Sequence, residues 1–102
     1  MPVSSQFSSA DNTLKINIDG RFDYDCHQDF SASYKELPQA AQKKYVIDLT
    51  GVSYLDSSAL GMLLVLRERV GGDRSDITLL GANKDIKRVL DIASFEKLFT
   101  VK

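Results

Sequence analysis

Three consecutive short polar residues, Asp56, Ser57 and Ser58, come directly before an apolar segment rich in helix-forming residues. Each is a preferred N-cap type, because its side-chain oxygen accepts a hydrogen bond from an unpaired N–H group of the first helical turn. Ser58 is the preferred cap, and one cap leaves another hydroxyl facing solvent where the helix dipole attracts an anion. A phosphoryl group there would add about −1.5 to −2 charge beside Asp56. The triplet therefore predicts a contact surface that one hydroxyl can switch.

The helix predicted after this triplet runs from Ser57 to Val70 and ends at Gly71-Gly72, because glycine readily takes the left-handed conformation of a helix cap. It is apolar over most of its circumference. One stripe has the spacing of a core-facing helix, and it comprises Ala59, Leu63, Leu66 and Val70. A second apolar set comprises Leu60, Met62, Leu64 and Val65. This second face is either covered by other elements, as the composition favours, or exposed as a protein-binding patch.

A hairpin and a helix are predicted before the triplet. Alternating apolar and polar residues from Leu14 to Ile18 indicate a half-buried strand ended by Gly20, and Val3 to Ser9 indicates a weaker strand before it. Asp11-Asn12 supplies the turn of an antiparallel hairpin. The spacing then becomes helical from Asp25, on four apolar residues that precede Pro38: Cys26, Phe30, Tyr34 and Leu37.

Strands and helices alternate in the rest of the chain. Tyr45–Leu49 and Ile77–Leu80 are compact apolar runs typical of buried strands. Asn83 can cap a third helix, whose apolar face comprises Ile86, Val89, Leu90 and Ala93. A short final helix and an extended end are predicted from Phe95 to Val101.

This order predicts an α/β fold in a single domain spanning residues 1–102. Helical crossovers between strands imply a mixed, mostly parallel sheet of four to five strands with right-handed connections, and the hairpin adds an antiparallel edge. About four helices are expected to cover the sheet. The 102 residues match the usual size of one domain.

Two motifs in this framework resemble the STAS domain family, and in particular its single-domain anti-sigma factor antagonists. The first is Asp56-Ser57-Ser58-Ala59-Leu60-Gly61, where an acidic residue and a serine open a helix after an apolar strand. The second is Gly20-Arg21-Phe22-Asp23, which is similar to the family's glycine, variable residue, apolar residue and aspartate after the hairpin. The resemblance covers the chain from about Val3 to Val101, and it implies the STAS fold.

The resemblance also implies a function. Anti-sigma factor antagonists bind a histidine-kinase-like serine kinase that doubles as the anti-sigma factor, and they are phosphorylated on the serine after the aspartate, here Ser57. A metal-dependent serine/threonine phosphatase restores binding. The residues expected on the partner-binding surface are Asp23, Asp56, Ser57, Ser58, Leu60 and Leu64. Asp23 is interpreted either as the cap of the first helix or as this functional acid, and Tyr24-Asp25-Cys26-His27 departs from the residues of many relatives.

Composition and missing motifs exclude several other function classes. With 13 Lys and Arg against 14 Asp and Glu, the chain has no basic field to attract nucleic acid. The apolar run Leu60–Leu66 is shorter than a membrane span, and Met1–Ala10 lacks a signal-peptide pattern, so a cytoplasmic protein is expected. No nucleophile elbow, phosphate-binding loop or dinucleotide fingerprint is present. His27 is the only histidine and has no second nitrogen or thiolate pair nearby beyond Cys26. No enzyme activity, metal or cofactor is predicted.

Two alternatives remain: the first is a different fold, and the second keeps the STAS fold without the switch. A receiver-like domain would be phosphorylated on Asp48 or Asp56 near a strand end, although no acidic pair for magnesium follows the first strand. A constitutive STAS docking subunit of a transporter or signalling complex would bind without any phosphoswitch at Ser57.

Overall fold

Alternating apolar residues build the hairpin that opens the fold. The computed structural model describes residues 2–35 and 43–102. Strands β1 (Val3–Ser8) and β2 (Thr13–Phe22) pair antiparallel, with Val3 opposite Ile18 and Ser8 opposite Thr13. Asn12 turns the chain between them with a φ of 55°, a conformation that asparagine tolerates better than most residues. The predicted hairpin is confirmed.

The remaining elements alternate as the sequence predicted. They are α1 (His27–Lys35), β3 (Lys44–Leu55), α2 (Ser57–Arg69), β4 (Asp76–Leu80), α3 (Lys84–Ile92) and β5 (Thr100–Val101). The sheet order β1-β2-β3-β4-β5 follows the chain order, and every pair after the hairpin is parallel. The described residues contain three α-helices where about four helices were expected. The short helix predicted near the end is a single 3₁₀ turn, Phe95–Lys97.

One face of the sheet is buried. The strands point alternate side chains into a shared core, and these are Leu14, Ile16, Ile18, Tyr45, Ile47, Leu49, Ile77 and Leu79. Helices contribute Phe30, Tyr34, Ala59, Leu63, Leu66, Ile86 and Leu90 to the same cluster. Each parallel strand joins the same edge of the growing sheet. Right-handed crossovers therefore bring the connecting helices to the same face of the sheet.

Strands β2 and β3 are both longer than the sequence predicted. Gly20 was expected to end the first and Leu49 the second, but the pairing continues to Phe22 opposite Leu55. Gly20 has a φ of 76°, and the register shifts immediately after it, as in a β-bulge. The bulge bends β2 without ending it, so both strands extend to the same end of the sheet.

The first and third helices differ from the prediction at their ends. Helix α1 begins at His27, after a 3₁₀ turn at Tyr24–Cys26, and not at Asp25. Leu37 and Pro38, which were expected to end it, lie outside the described residues. Helix α3 is capped by Asn83 as predicted, but Ala93 lies just beyond the helix and is exposed.

The longest described helix is α2, with 13 residues. Within residues 2–35 and 43–102, no helix combines the length and apolar character that crossing a membrane requires.

Candidate functional site

The extended strands place Asp23 and Asp56 beside each other at the same end of the sheet. Each aspartate directly follows the last residue of its strand, and those last residues, Phe22 and Leu55, are paired. Asp23 caps the 3₁₀ turn that leads into α1, because its Oδ1 accepts a hydrogen bond from the Asp25 N–H at 3.1 Å. Asp23 therefore caps this 3₁₀ turn and not α1 itself, which begins at His27.

Asp56 is the N-cap of α2. Its Oδ1 accepts hydrogen bonds from the Ala59 N–H at 3.1 Å and from the Ser58 hydroxyl at 2.6 Å. The Ser58 hydroxyl bond is the main cause that lowers the pKa of the Asp56 carboxyl, and the backbone N–H bonds and the charge of Arg21 act in the same direction. The preference for Ser58 as the cap was wrong, since Ser58 donates to the capping carboxylate instead.

Ser57 is the first residue of α2, and its side chain is exposed. Within the described residues, its hydroxyl takes part in no hydrogen bond, whereas the hydroxyl of half-buried Ser58 is engaged by Asp56. Two adjacent serines therefore differ in the two properties that a modifying enzyme requires, accessibility and a free hydroxyl. Ser57 has both.

The outer face of α2 exposes apolar side chains beyond Ser57. Leu64 is 38% exposed and Val65 is 51% exposed. Leu60 is half-buried and packs against the core, while Met62 is buried. The second apolar face of this helix is therefore divided, with part of it covered and part of it open to solvent.

A groove of about 300 Å³ lies between α1 and α2, next to the start of α2. Its lining is mostly apolar, and it comprises Tyr24, His27, Phe30, Ser31, Tyr34, Ser58, Gly61, Met62 and Val65. At one side, the rings of Tyr24 and His27 stack with their centroids 5.0 Å apart. Sequence patterns did not reveal this groove, because it depends on how two helices pack.

Arg21 is the site residue that the sequence did not single out. Its Nε lies 3.3 Å from Asp23 Oδ2, and its guanidinium carbon lies 4.0 Å from the centre of the Tyr54 ring. The spacing of Arg21 and Asp23 in the sequence could have indicated this pair. Residues two apart in an extended chain point to the same side. Recognising it required knowing that β2 continues past Gly20.

The structure weakens the receiver-like alternative at Asp48. That residue lies inside β3, where its Oδ1 accepts from the Thr50 N–H at 2.9 Å and its Oδ2 lies 3.5 Å from Lys15 Nζ. The hydrogen bonds from Thr50 are the main cause that lowers the pKa of the Asp48 carboxyl. In residues 2–35 and 43–102, no group of three or more metal-binding side chains is close enough to hold an ion.

Solved structures share this architecture. A proposed anti-sigma factor antagonist from Thermotoga maritima superposes with a TM-score of 0.80 at 13% identity, over 97% of this chain and 84% of that one. The anti-sigma factor antagonist SpoIIAA superposes in its unphosphorylated form with a TM-score of 0.71 at 15% identity, over 98% of this chain and 86% of that one. The phosphorylated form of SpoIIAA from Bacillus gives 0.66 at 14% identity, over 98% and 90%. At these identities, the likeness shows the SpoIIAA-like fold.

Sequence comparison defines the family. A STAS-domain containing protein of Pseudomonas aeruginosa (strain UCBPP-PA14) is 41% identical over 101 residues, which is 99% of each chain. The family model described as "Mlab, STAS domain" matches residues 5–100. The chain therefore belongs to the STAS domain family.

Proposed function

We propose that this STAS domain is a protein-binding switch controlled by phosphorylation of Ser57. The single observation that carries the proposal is the exposed, unengaged Ser57 hydroxyl beside the capping carboxylate of Asp56. In the unphosphorylated state, the domain binds a histidine-kinase-like serine kinase that serves as an anti-sigma factor. The kinase transfers the γ-phosphoryl group of ATP to the Ser57 oxygen, ADP is released, and the partners separate. A metal-dependent serine/threonine phosphatase then removes the phosphate, and the cycle takes place in the cytoplasm.

Charge supplies the physical basis of release. A phosphoryl group adds about −1.5 to −2 charge at neutral pH, directly beside a carboxylate whose low pKa keeps it ionised. Docking of a partner would then have to desolvate both anions. Coupling free energies of about 1 to 3 kcal/mol change affinity roughly 5- to 150-fold, which is enough to exchange one partner for another.

The outer face of α2 provides the contact surface in this proposal. Gly61 lies one turn after Ser57 on the same side of the helix, and a Cβ atom added to it would meet no heavy atom within 4 Å. Packing within the chain therefore does not require glycine, although glycine in a helix destabilises it by about 0.5 to 1 kcal/mol relative to alanine. Close approach of a partner backbone explains the glycine. Leu64 and Val65 extend this surface with exposed apolar area.

Three further residues have different places in the proposed contact. Asp23 lies at the adjoining strand end, where it and Asp56 supply negative charge to the rim. Ser58 acts indirectly, because its hydroxyl fixes the Asp56 carboxylate. Leu60 is half-buried, so we expect its contribution to binding to be smaller than that of Leu64.

Phosphosite mapping tests the switch residue. The protein is incubated with a lysate of its source organism, magnesium and ATP, and its phosphorylation is mapped by mass spectrometry. We expect phosphate on Ser57 in the wild-type chain and in Ser58→Ala, and none at this motif in Ser57→Ala. Ser58→Ala is the matched control because it removes the adjacent hydroxyl and leaves the exposed one.

The contrary outcome is equally specific. Phosphate found only at other positions would reject Ser57 as the switch. The absence of any phosphate would reject it too, provided that a control STAS protein is phosphorylated in a lysate of its own source organism. Label that is lost in mild base would point to an acyl phosphate on an aspartate.

A constitutive docking subunit is the second candidate function. The exposed apolar residues of α2 and the adjoining groove favour it, because both are present without any modification. Under this model, Ser57→Ala and Ser57→Asp bind the natural partner with equal affinity. Under the switch model, only Ser57→Ala retains binding.

A further inference from the structure

Arg21 is held in place at the rim of the candidate site although its side chain is 65% exposed. Asp23 pairs with its Nε, and the Tyr54 ring lies against its guanidinium plane. Stacking on an aromatic face and pairing with a carboxylate both reduce the number of conformations that a long side chain samples. Within the described residues, its two Nη groups donate no hydrogen bond. The guanidinium is therefore positioned and still has free donors.

The strand register brings the backbone of Arg21 to the same end of the sheet as Ser57. Arg21 is paired with Tyr54, and Ser57 follows Tyr54 by three residues. Three residues of extended chain span about 10 Å, a separation that an extended arginine and a phosphoserine side chain can bridge together. The charge of Arg21 already acts on Asp56, where it adds to the larger effect of the Ser58 hydroxyl in lowering the pKa of that carboxyl.

Two other ion-paired cations, Lys15 and Arg67, lie elsewhere. Lys15 pairs with Asp48 in the middle of the sheet. Arg67 pairs with Asp73 at the far end of α2. Arg21, in contrast, pairs with Asp23. Asp23 lies beside Asp56, because each aspartate follows the last residue of one of two paired strands.

We propose that Arg21 is the counter-ion of the phosphoryl group on Ser57. This inference rests on the proposed phosphorylation of Ser57. A phosphate near −2 charge with three acceptor oxygens attracts a guanidinium more strongly than a single carboxylate does, so Arg21 turns its free Nη donors toward the phosphate and its Nε moves away from Asp23. Asp23 keeps its bond to the Asp25 N–H but loses its cation. Phosphorylation thereby changes the charge at the entrance of α1 as well as at the start of α2.

A direct test titrates the phosphate. Phosphoserine is incorporated at position 57 during protein synthesis, and its second ionisation, which has an ordinary pKa of about 6, is followed by phosphorus NMR. We expect Arg21→Gln to raise the pKa of the phosphate by about half a unit or more, because an adjacent cation favours the dianion. Arg21→Lys should give an intermediate value, since it keeps the charge and loses the planar pair of donors.

Arg69→Gln is the matched control. Arg69 is the last residue of α2, so the substitution removes the same charge about 18 Å along the helix from Ser57. We expect the phosphate to titrate as in the wild type. Equal titration of wild type, Arg21→Gln and Arg69→Gln would overturn the proposal.

A second measurement needs no substitution. In proton–nitrogen correlation NMR of the otherwise wild-type chain, the Nε–H signal of Arg21 should shift when position 57 carries phosphate, and that of Arg69 should not. An unchanged Arg21 signal would also overturn the proposal. Because the phosphate is installed without a kinase, both measurements stand even if no lysate modifies Ser57. A negative result here with normal lysate phosphorylation would reject Arg21 alone.

Discussion

The N-termini of α2 and α3 use the same capping geometry, but their cap residues differ in the other hydrogen bonds that they make. Asp56 accepts from the Ala59 N–H at 3.1 Å, and Asn83 accepts from the Ile86 N–H at 2.9 Å. The Asn83 amide also donates to the Val52 carbonyl at 3.3 Å, which ties the start of α3 to β3. The Asp56 carboxylate instead binds the hydroxyl of Ser58 within its own turn. One helix start is anchored to the sheet, and the side-chain hydrogen bonds described for the other stay within its own turn.

The outer faces of the two helices show the same contrast. The exposed residues of α3 are mostly charged, and they include Lys84, Asp85, Lys87, Arg88 and Asp91, with Ile92 exposed at the helix end. The exposed residues of α2 are Ser57, Leu64 and Val65, with the charged Glu68 and Arg69 exposed at the helix end. A helix start becomes a candidate switch when accessible apolar surface adjoins it, and capping chemistry alone does not confer this property.

The largest expected effect comes from placing a negative charge at the first residue of each helix. Ser57→Asp should weaken binding to the natural partner about 10-fold or more, because it adds charge beside Asp56 on the contact surface. Lys84→Asp places an aspartate at the equivalent position of α3, and the affinity should stay unchanged. Isothermal titration calorimetry with the purified partner measures both. Equal affinities for the two variants and wild type would contradict the switch.

The next largest effects are expected at Gly61, where one substitution should stabilise the fold and weaken partner binding. Gly61→Ala should raise the free energy of unfolding by about 0.5 to 1 kcal/mol, since alanine is the better helix former and its Cβ has room. The same substitution should weaken partner binding. Arg88→Ala is the control, because Arg88 lies four residues after the first residue of α3, as Gly61 does in α2. It should leave partner binding unchanged. Urea denaturation and calorimetry measure the two quantities.

Unchanged partner affinity in Gly61→Ala would show that no partner backbone approaches this turn. The contact surface would then have to lie away from the middle of α2.

The smallest expected effect is a change in pH dependence at the Asp56 cap. The pKa of Asp56 is lowered by the Ser58 hydroxyl and backbone N–H groups, so the folded state favours the carboxylate. Its stabilising contribution is complete above the unfolded pKa of about 3.9 and is lost as the pH falls through the lower folded value. Asp56→Asn keeps a cap without a titrating group. Urea denaturation should show a smaller loss of stability between about pH 6 and about pH 3 than in wild type.

Asp48→Asn offers an independent comparison for that slope. The pKa of Asp48 is also lowered, mainly by Thr50, but this residue lies inside β3 and caps no helix. Each substitution should remove its own part of the pH dependence. Identical slopes for Asp56→Asn and wild type would contradict the described hydrogen bonds.

Local patterns predicted most of the fold. Alternation identified the hairpin, the apolar run Tyr45–Leu49 identified the core of β3, and Asn83 identified the start of α3. These features depend on neighbouring residues. The extension of β2 past Gly20 depends on pairing with a segment more than thirty residues away, and no local pattern contains that information.

The candidate site was predicted only in part for the same reason. Ser57 was identified from its position, but three adjacent cap-type residues look equivalent in sequence, and the backbone conformation of Asp56 decides which one caps. Arg21 became meaningful only through the register that places it opposite Tyr54. The groove between α1 and α2 required the packing of both helices.

The agreement between strand order and chain order has a consequence for synthesis. Each strand from β2 onward pairs with the strand made immediately before it, so every new strand finds its neighbour among residues already translated. The residues that surround Ser57 come from β2, α1, β3 and α2, all made before β4, α3 and β5. Because vectorial folding proceeds from the N-terminal side, the ribosome completes the Ser57 motif and its neighbours before the last two strands of the sheet exist.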